Sequence, residues 1–200
     1  MANTFAPFGF SQYRGTGSAP TYEQVPALIA SGNATAIFYG DAVVPVTGSA
    51  TGYIKQATAS TVALAGIFVG CKYVSVAQKR TVWGNYWPGS DANGDVTAYI
   101  VNDPNAQFLV QSSVSAAAVA QASVGKLCQL NVGTGNTANG ISGMYIDTIG
   151  TTATYPFRIV ELYTNPIAAN GADTTSAYNW LVVAFNNVLT RSNGALTGIS

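Results

Sequence analysis

The stretch from Asp95 to Gln111 decides the fold, and it reads DVTAYIV NDPNA QFLVQ. Its outer parts, 95–101 and 107–111, are short and rich in Val, Tyr, Ile and Phe, as β-strands are. Between them stands Asn102–Asn105, a cluster of Asn, Asp and Pro of the kind that forms turns. The stretch therefore predicts two strands with a turn between them.

The same pattern of short strand and turn continues on both sides of this stretch. Further predicted strands cover residues 35–39, 41–46, 52–56, 63–69, 80–83, 127–132, 143–147, 157–163 and 180–188. Asn-Gly pairs, which favour the positive φ of tight turns, occur at 93–94, 139–140, 170–171 and 193–194. Only Val114–Val124 favours a helix, through its alanines. The chain is therefore predicted to be all-β, a β-sandwich or jelly-roll-like barrel with one short helix.

The beginning of the chain differs from the rest, so we predict an extended N-terminal arm (1–33), a β-domain (34–190) and a C-terminal tail (191–200). The arm's aromatic side chains, too many for a solvated linker, are Phe5, Phe8, Phe10, Tyr13 and Tyr22. Its prolines and glycines argue against a regular element, apart from a short helical turn over 23–30. The arm either wraps its own domain or packs on another subunit. We favour the second interpretation, because the rings need a surface that buries them.

Charge is scarce in this chain of 200 residues, a length that makes one domain the expectation. Lys and Arg number 8, Asp and Glu number 8 and His is absent, so 8% of residues are charged against about 25% in an ordinary globular domain. Zero net charge excludes the basic footprint of a nucleic-acid-binding protein. Without His, neither a Ser-His-Asp nor a Cys-His site can be built. We therefore expect no enzyme and no cofactor.

The sequence also predicts no membrane span, since no apolar run approaches about 18 residues. The first residues lack the basic and apolar regions of a secretion signal, so we expect synthesis in the cytoplasm. A disulfide between Cys71 and Cys128 is one hypothesis, but a reducing cytosol favours buried free thiols.

Two loops resemble binding motifs, one for calcium and one for phosphate. Asp91, Asn93 and Asp95 put oxygen ligands at alternate positions, as a calcium loop does. The twelfth position is Asn102 instead of Glu, which favours a hairpin turn over a weak calcium site. The Gly-rich run 133–140 matches no phosphate-binding spacing, and it predicts a polar loop.

Trp83, Tyr86 and Trp87 form the densest aromatic cluster outside the arm. One interpretation is an exposed platform that stacks on sugar rings or on a partner's proline. The alternative is that two of the three rings fill the core and the third covers an interface, as aromatic residues do well.

Four stretches together resemble small virion proteins of tailed bacteriophages, the capsid cement or decoration proteins. They are Asn3–Phe10 (NTFAPFGF), Ala65–Tyr73 (AGIFVGCKY), Thr81–Gly89 (TVWGNYWPG) and Val96–Phe108 (VTAYIVNDPNAQF). The resemblance covers most of the chain and carries no catalytic signature. It implies a β-rich virion protein, made in the host bacterial cytoplasm, that binds the outside of the capsid and locks neighbouring major capsid subunits together.

This function makes the major capsid protein and neighbouring copies of the chain the expected partners. The expected contact residues are the aromatic residues of the arm with Arg14, together with Trp83, Tyr86 and Trp87. The rival hypothesis is a tail-fibre or lectin-like module that binds a glycan through Trp83, Tyr86 and Trp87. The third hypothesis is a hydrolase that acts through converging carboxylates. It ranks last because carboxylates are few, with Glu23 and Glu161 the only Glu residues in the sequence.

Overall fold

The computed structural model describes residues 2–15, 23–48, 52–114, 118–164 and 170–190. These residues are all-β, which confirms the predicted fold class. The strands are β1 (Ser11–Arg14), β2 (Val25–Ile29), β3 (Ala42–Pro45), β4 (Ile54–Gln56), β5 (Gly66–Val74), β6 (Thr81–Gly84), β7 (Val96–Val101), β8 (Gln107–Gln111), β9 (Leu127–Asn131), β10 (Tyr145–Gly150), β11 (Phe157–Leu162) and β12 (Trp180–Phe185). Tyr22 and the predicted tail lie outside the described residues.

The strands form two antiparallel sheets of six strands each. Sheet A has the order β1-β8-β12-β11-β9-β10, and sheet B has the order β2-β7-β5-β3-β4, with β6 paired to β5. The stretch 95–111 links the two sheets, because β7 belongs to sheet B and β8 to sheet A. The predicted turn after Val101 is therefore present, but its flanking strands do not pair with each other.

Two apolar clusters hold the sheets in place. The larger one lies where sheet A packs on part of sheet B, and its members include Phe108, Phe157, Leu181 and Val183 from sheet A with Ala42, Ile67 and Val101 from sheet B. The smaller one covers the other face of sheet B and includes Phe68, Cys71, Tyr73, Ala98 and Ile100 beneath Ile37 and Trp87.

The prediction of an arm without regular structure over 1–33 is wrong. Residues 11–14 form β1, which pairs with β8 at the edge of sheet A. Residues 25–29 form β2, which pairs with β7 at the edge of sheet B, so the helical turn predicted over 23–30 is wrong as well. Pro26 fits β2 because an edge strand leaves one row of backbone N–H groups without ladder partners.

The segment before β1 is fixed to its own domain. The Asn3 carboxamide donates hydrogen bonds to the carbonyl oxygens of Asp173 (2.8 Å) and Ala177 (3.1 Å). It accepts one from the backbone N–H of Gly171 (2.8 Å). The Gln111 side chain bonds the backbone on either side of Phe5, accepting from Ala6 N–H (2.7 Å) and donating to the Thr4 carbonyl oxygen (2.8 Å). Residues 2–15 therefore wrap their own domain, which was the alternative interpretation.

The helix predicted over 114–124 is wrong for the residues described there, which contain a single 3₁₀ turn at Gln121–Ser123. Val119 is instead held by the Asn179 side chain, which accepts from its N–H (3.0 Å) and donates to its carbonyl oxygen (3.1 Å). None of the helical turns in the described ranges is long and apolar enough to cross a membrane.

Candidate functional site

Aromatic side chains line the outer face of sheet A. Phe8 meets Trp180 at a ring-centroid distance of 4.8 Å, and Trp180 meets Tyr163 at 5.6 Å. Tyr163 in turn meets Tyr13 at 6.1 Å. Trp180 faces outward because its strand β12 alternates and Leu181 and Val183 point into the core. We call these four residues the aromatic ridge.

An ion pair extends the ridge. Arg14 of β1 pairs with Glu161 of β11, although β8 and β12 lie between those two strands in the sheet. The two side chains therefore reach across the outer face. Val182 of β12, the register partner of Glu161, is 0% exposed although it does not belong to the core cluster. The Arg14 guanidinium also lies 4.8 Å from the centre of the Tyr13 ring, which is a cation–π contact.

Two aromatic residues of the N-terminal segment remain accessible. Phe5 is 41% exposed and Tyr13 is 36% exposed. Phe5 rests on Tyr145 and Tyr178, with both ring-centroid distances at 5.3 Å. Phe10, in contrast, stacks on Phe157 inside the core at 4.4 Å and is not available to a partner, which corrects its assignment as a contact residue.

The predicted cluster of Trp83, Tyr86 and Trp87 separates in the structure. Trp87 is 0% exposed, so its assignment as a contact residue is wrong. Its indole N–H donates to the Asn33 carbonyl oxygen (3.2 Å), and Tyr73 packs edge-on against it (5.1 Å). Tyr86 is half-buried and stacks on Phe38 (5.4 Å). Trp83 alone projects outward, at 65% exposure.

Trp83 borders an open groove of about 550 Å³ on the part of sheet B that sheet A leaves uncovered. Val101, Tyr99 and Thr97 share one face of β7; Val101 packs in the larger core, whereas the other two are half-buried. The Tyr99 and Trp83 rings are nearly parallel (8°) with centroids 6.1 Å apart. The Lys72 ammonium lies 4.9 Å from the centre of the Trp83 ring. The groove is lined by Gln24, Val69, Gly70, Cys71, Trp83, Gly84, Asn85 and Tyr99.

The loop considered for calcium uses its carboxylates within the chain. Asp91 accepts from the Ser75 hydroxyl (2.7 Å) and from Ala77 N–H (2.9 Å), which lowers the pKa of its carboxyl. Asp95 accepts from the Tyr53 hydroxyl (2.8 Å). In the described ranges no three His, Cys, Asp or Glu side chains are grouped so that they could hold a metal ion.

Both cysteines are free and buried, one in each apolar cluster. Burial raises the pKa of the Cys71 thiol to about 12, and it raises that of Cys128 as well. Because the thiolate is the reactive form, neither side chain is suited to nucleophilic or redox chemistry. Asp41 is also buried, and burial raises the pKa of its carboxyl.

Comparison with known protein families, with curated proteins and with solved structures finds no match. The chemistry of the described surface is therefore the guide to function. It offers aromatic rings, one bridging ion pair and a neutral groove, all of which suit binding.

Sequence reasoning missed Trp180, Tyr163 and Tyr99, although all three lie in or beside predicted strands. Alternation along 95–101 places Tyr99 on the same face as Thr97, which could have indicated an outward ring. No sequence signal places Tyr99 beside Trp83, because β5 separates their strands in the sheet.

Proposed function

We propose that this protein is a structural virion protein that binds the outer surface of a phage capsid and joins neighbouring major capsid subunits. The observation that carries the proposal is the aromatic ridge with its Arg14–Glu161 pair. Protein–protein interfaces are enriched in Tyr, Trp, Phe and Arg, and the outer face of sheet A presents side chains of all four types.

The mode of attachment follows from how the N-terminal segment is held. Phe5 and Tyr13 are presented by a segment that is already bonded to its own domain through Asn3 and Gln111. Binding therefore requires little ordering of the chain, which keeps the entropic cost of association low. The resemblance to cement proteins supports the capsid as the partner, and the proposed role uses no catalytic group.

Co-sedimentation with purified DNA-free heads tests the proposal. The full chain should saturate a fixed number of sites per head, and Phe5→Ala together with Tyr13→Ala should weaken binding by about tenfold or more. Val76→Ala, at an exposed position away from the ridge, is the matched control. Failure of the native chain to bind heads overturns the capsid proposal. Equal binding by the double variant overturns the assignment of Phe5 and the ridge residue Tyr13 as capsid contacts.

A further inference from the structure

We propose that the groove beside Trp83 is a binding site for a short neutral saccharide, distinct from the aromatic ridge. The site stands apart from the proposed capsid attachment, because its residues belong to sheet B whereas the ridge belongs to sheet A. It also differs from the cluster that the sequence suggested, since Tyr99 and Gln24 replace Trp87 and Tyr86 in it.

Trp83 supplies the stacking surface. An indole that is 65% exposed on a β-strand is costly to leave in water, and its orientation here is fixed by Tyr99 and Lys72. The C–H groups on one face of a pyranose ring carry partial positive charge, which the negative face of an aromatic ring attracts. The ring is therefore oriented before a ligand arrives, which reduces the entropy lost on binding.

Gly70 contributes no side chain to the groove that it lines. It lies directly opposite Tyr99 in the sheet, at an irregularity in the register of β5. An added Cβ at this position would lie 3.1 Å from the carbonyl oxygen of Gly84, another residue of the lining. A volume of about 550 Å³ is within the range of small-ligand sites.

The polar groups in the groove select a neutral, hydroxyl-bearing ligand. Gln24 brings an exposed carboxamide, which can donate to and accept from hydroxyl groups. The Asn85 side chain is held in place beside the groove, because its amide nitrogen donates to the Asn139 carbonyl oxygen at 2.6 Å. The lining holds no Asp, Glu, Lys or Arg side chain. The Lys72 ammonium lies beside the groove, over the Trp83 ring. A cationic ligand would therefore lose hydration without gaining an ionic partner in the lining.

The test is a glycan array probed with the full chain, followed by fluorescence titration of the best neutral binder and of chitotriose, cellotriose and maltotriose. Binding should quench Trp83 emission. Trp83→Ala should weaken affinity by about tenfold or more, and Trp83→Phe should retain part of it. Gln24→Ala should weaken affinity less, and Val76→Ala, outside the groove, should leave it unchanged.

The outcomes separate this site from the capsid function. Trp83→Ala should bind heads as the native chain does, whereas the Phe5→Ala, Tyr13→Ala double variant should bind saccharide as the native chain does. Absence of neutral glycan binding at millimolar concentration overturns the site, as does equal binding by Trp83→Ala or a preference for acidic glycans or proline-rich peptides. Because Trp83 is mostly exposed, loss of fold is not expected in that variant, and circular dichroism checks it.

Discussion

The carboxamide oxygen of Asn3 accepts a hydrogen bond from the backbone N–H of Gly171 at 2.8 Å, and so joins residues 168 positions apart in the chain. Gly171 is buried, has a φ of +83° and lies against the Trp180 ring. The contact therefore connects the N-terminal segment with Trp180 of the aromatic ridge. A single side chain at position 3 thus helps to position the surface that we propose binds the capsid.

Replacement of Asn3 should destabilise the protein. Asn3→Ala removes four hydrogen bonds and leaves the Gly171 N–H buried without a partner, at an expected cost of about 2–3 kcal/mol in the free energy of unfolding. Urea denaturation followed by circular dichroism measures this. Asn105→Ala, at an exposed turn position, is the control and should cost far less. Equal effects of the two substitutions would contradict the role of the Asn3 contacts.

The strands could be predicted because their signal is local. In the stretch 95–111, residue type and a turn cluster together define two strands, and both form. Local signals could not show that the turn crosses between sheets, since pairing depends on distant partners. The prediction of a helix in the Ala-rich run after Val114 failed for the same reason. Asn179, 60 residues away in the chain, hydrogen-bonds both backbone groups of Val119.

The arm could not be predicted from composition. Ser11–Arg14 contains neither Pro nor Gly, so a short strand fits between the residues that break regular structure. The burial of Phe10 depends on Phe157, which no local pattern indicates. In the same way, exposure separates Trp83 from Trp87 only because Ile37 and Tyr73 cover one of them.

Gly9 should tolerate no side chain. Its φ is +73°, and an added Cβ would lie 2.7 Å from the Gly40 carbonyl oxygen and within 2.6 Å of both side-chain atoms of Ser142. Strain and backbone collision add, so Gly9→Ala should lower the free energy of unfolding by more than about 2 kcal/mol. Gly32→Ala is the matched control, because nothing lies within 4 Å of an added Cβ there. A midpoint of urea denaturation that moves equally for both would contradict the close packing at Gly9.

Asp41 should make stability depend on pH in an unusual direction. Burial raises the pKa of its carboxyl above 3.8, despite hydrogen bonds from Phe38 N–H (2.8 Å) and the Gln56 amide (2.7 Å). The folded protein thus holds this proton more tightly than the unfolded chain does. The resulting stabilisation is fully present below pH 3.8 and is lost as pH rises through the raised pKa.

Asp41→Asn removes this dependence, because the amide stays neutral. The unfolding free energy of Asp41→Asn minus that of the native chain should therefore increase as pH rises from about 4 to 7. Urea denaturation at several pH values measures the difference. Asp147→Asn, at an exposed position, controls for the loss of one carboxylate. A difference that falls with increasing pH would show that the hydrogen bonds to Asp41 outweigh its burial.

Truncation of the two tryptophans of Thr81–Gly89 should destabilise the protein to very different extents. Trp87 is 0% exposed, packs against Tyr73 and donates to the Asn33 carbonyl oxygen, which also accepts from Ser90 N–H (3.0 Å). Trp87→Ala therefore leaves a cavity and removes one of these two hydrogen bonds. Its expected cost is about 3–5 kcal/mol. Trp83→Ala removes only contacts on an exposed face, and it should cost less than about 1 kcal/mol. Thermal and urea denaturation of both variants measure the two costs. A large loss of unfolding free energy in Trp83→Ala would place that ring in the core and remove the basis for a groove. A small loss in Trp87→Ala would contradict the packing of Trp87 in the smaller apolar cluster of sheet B.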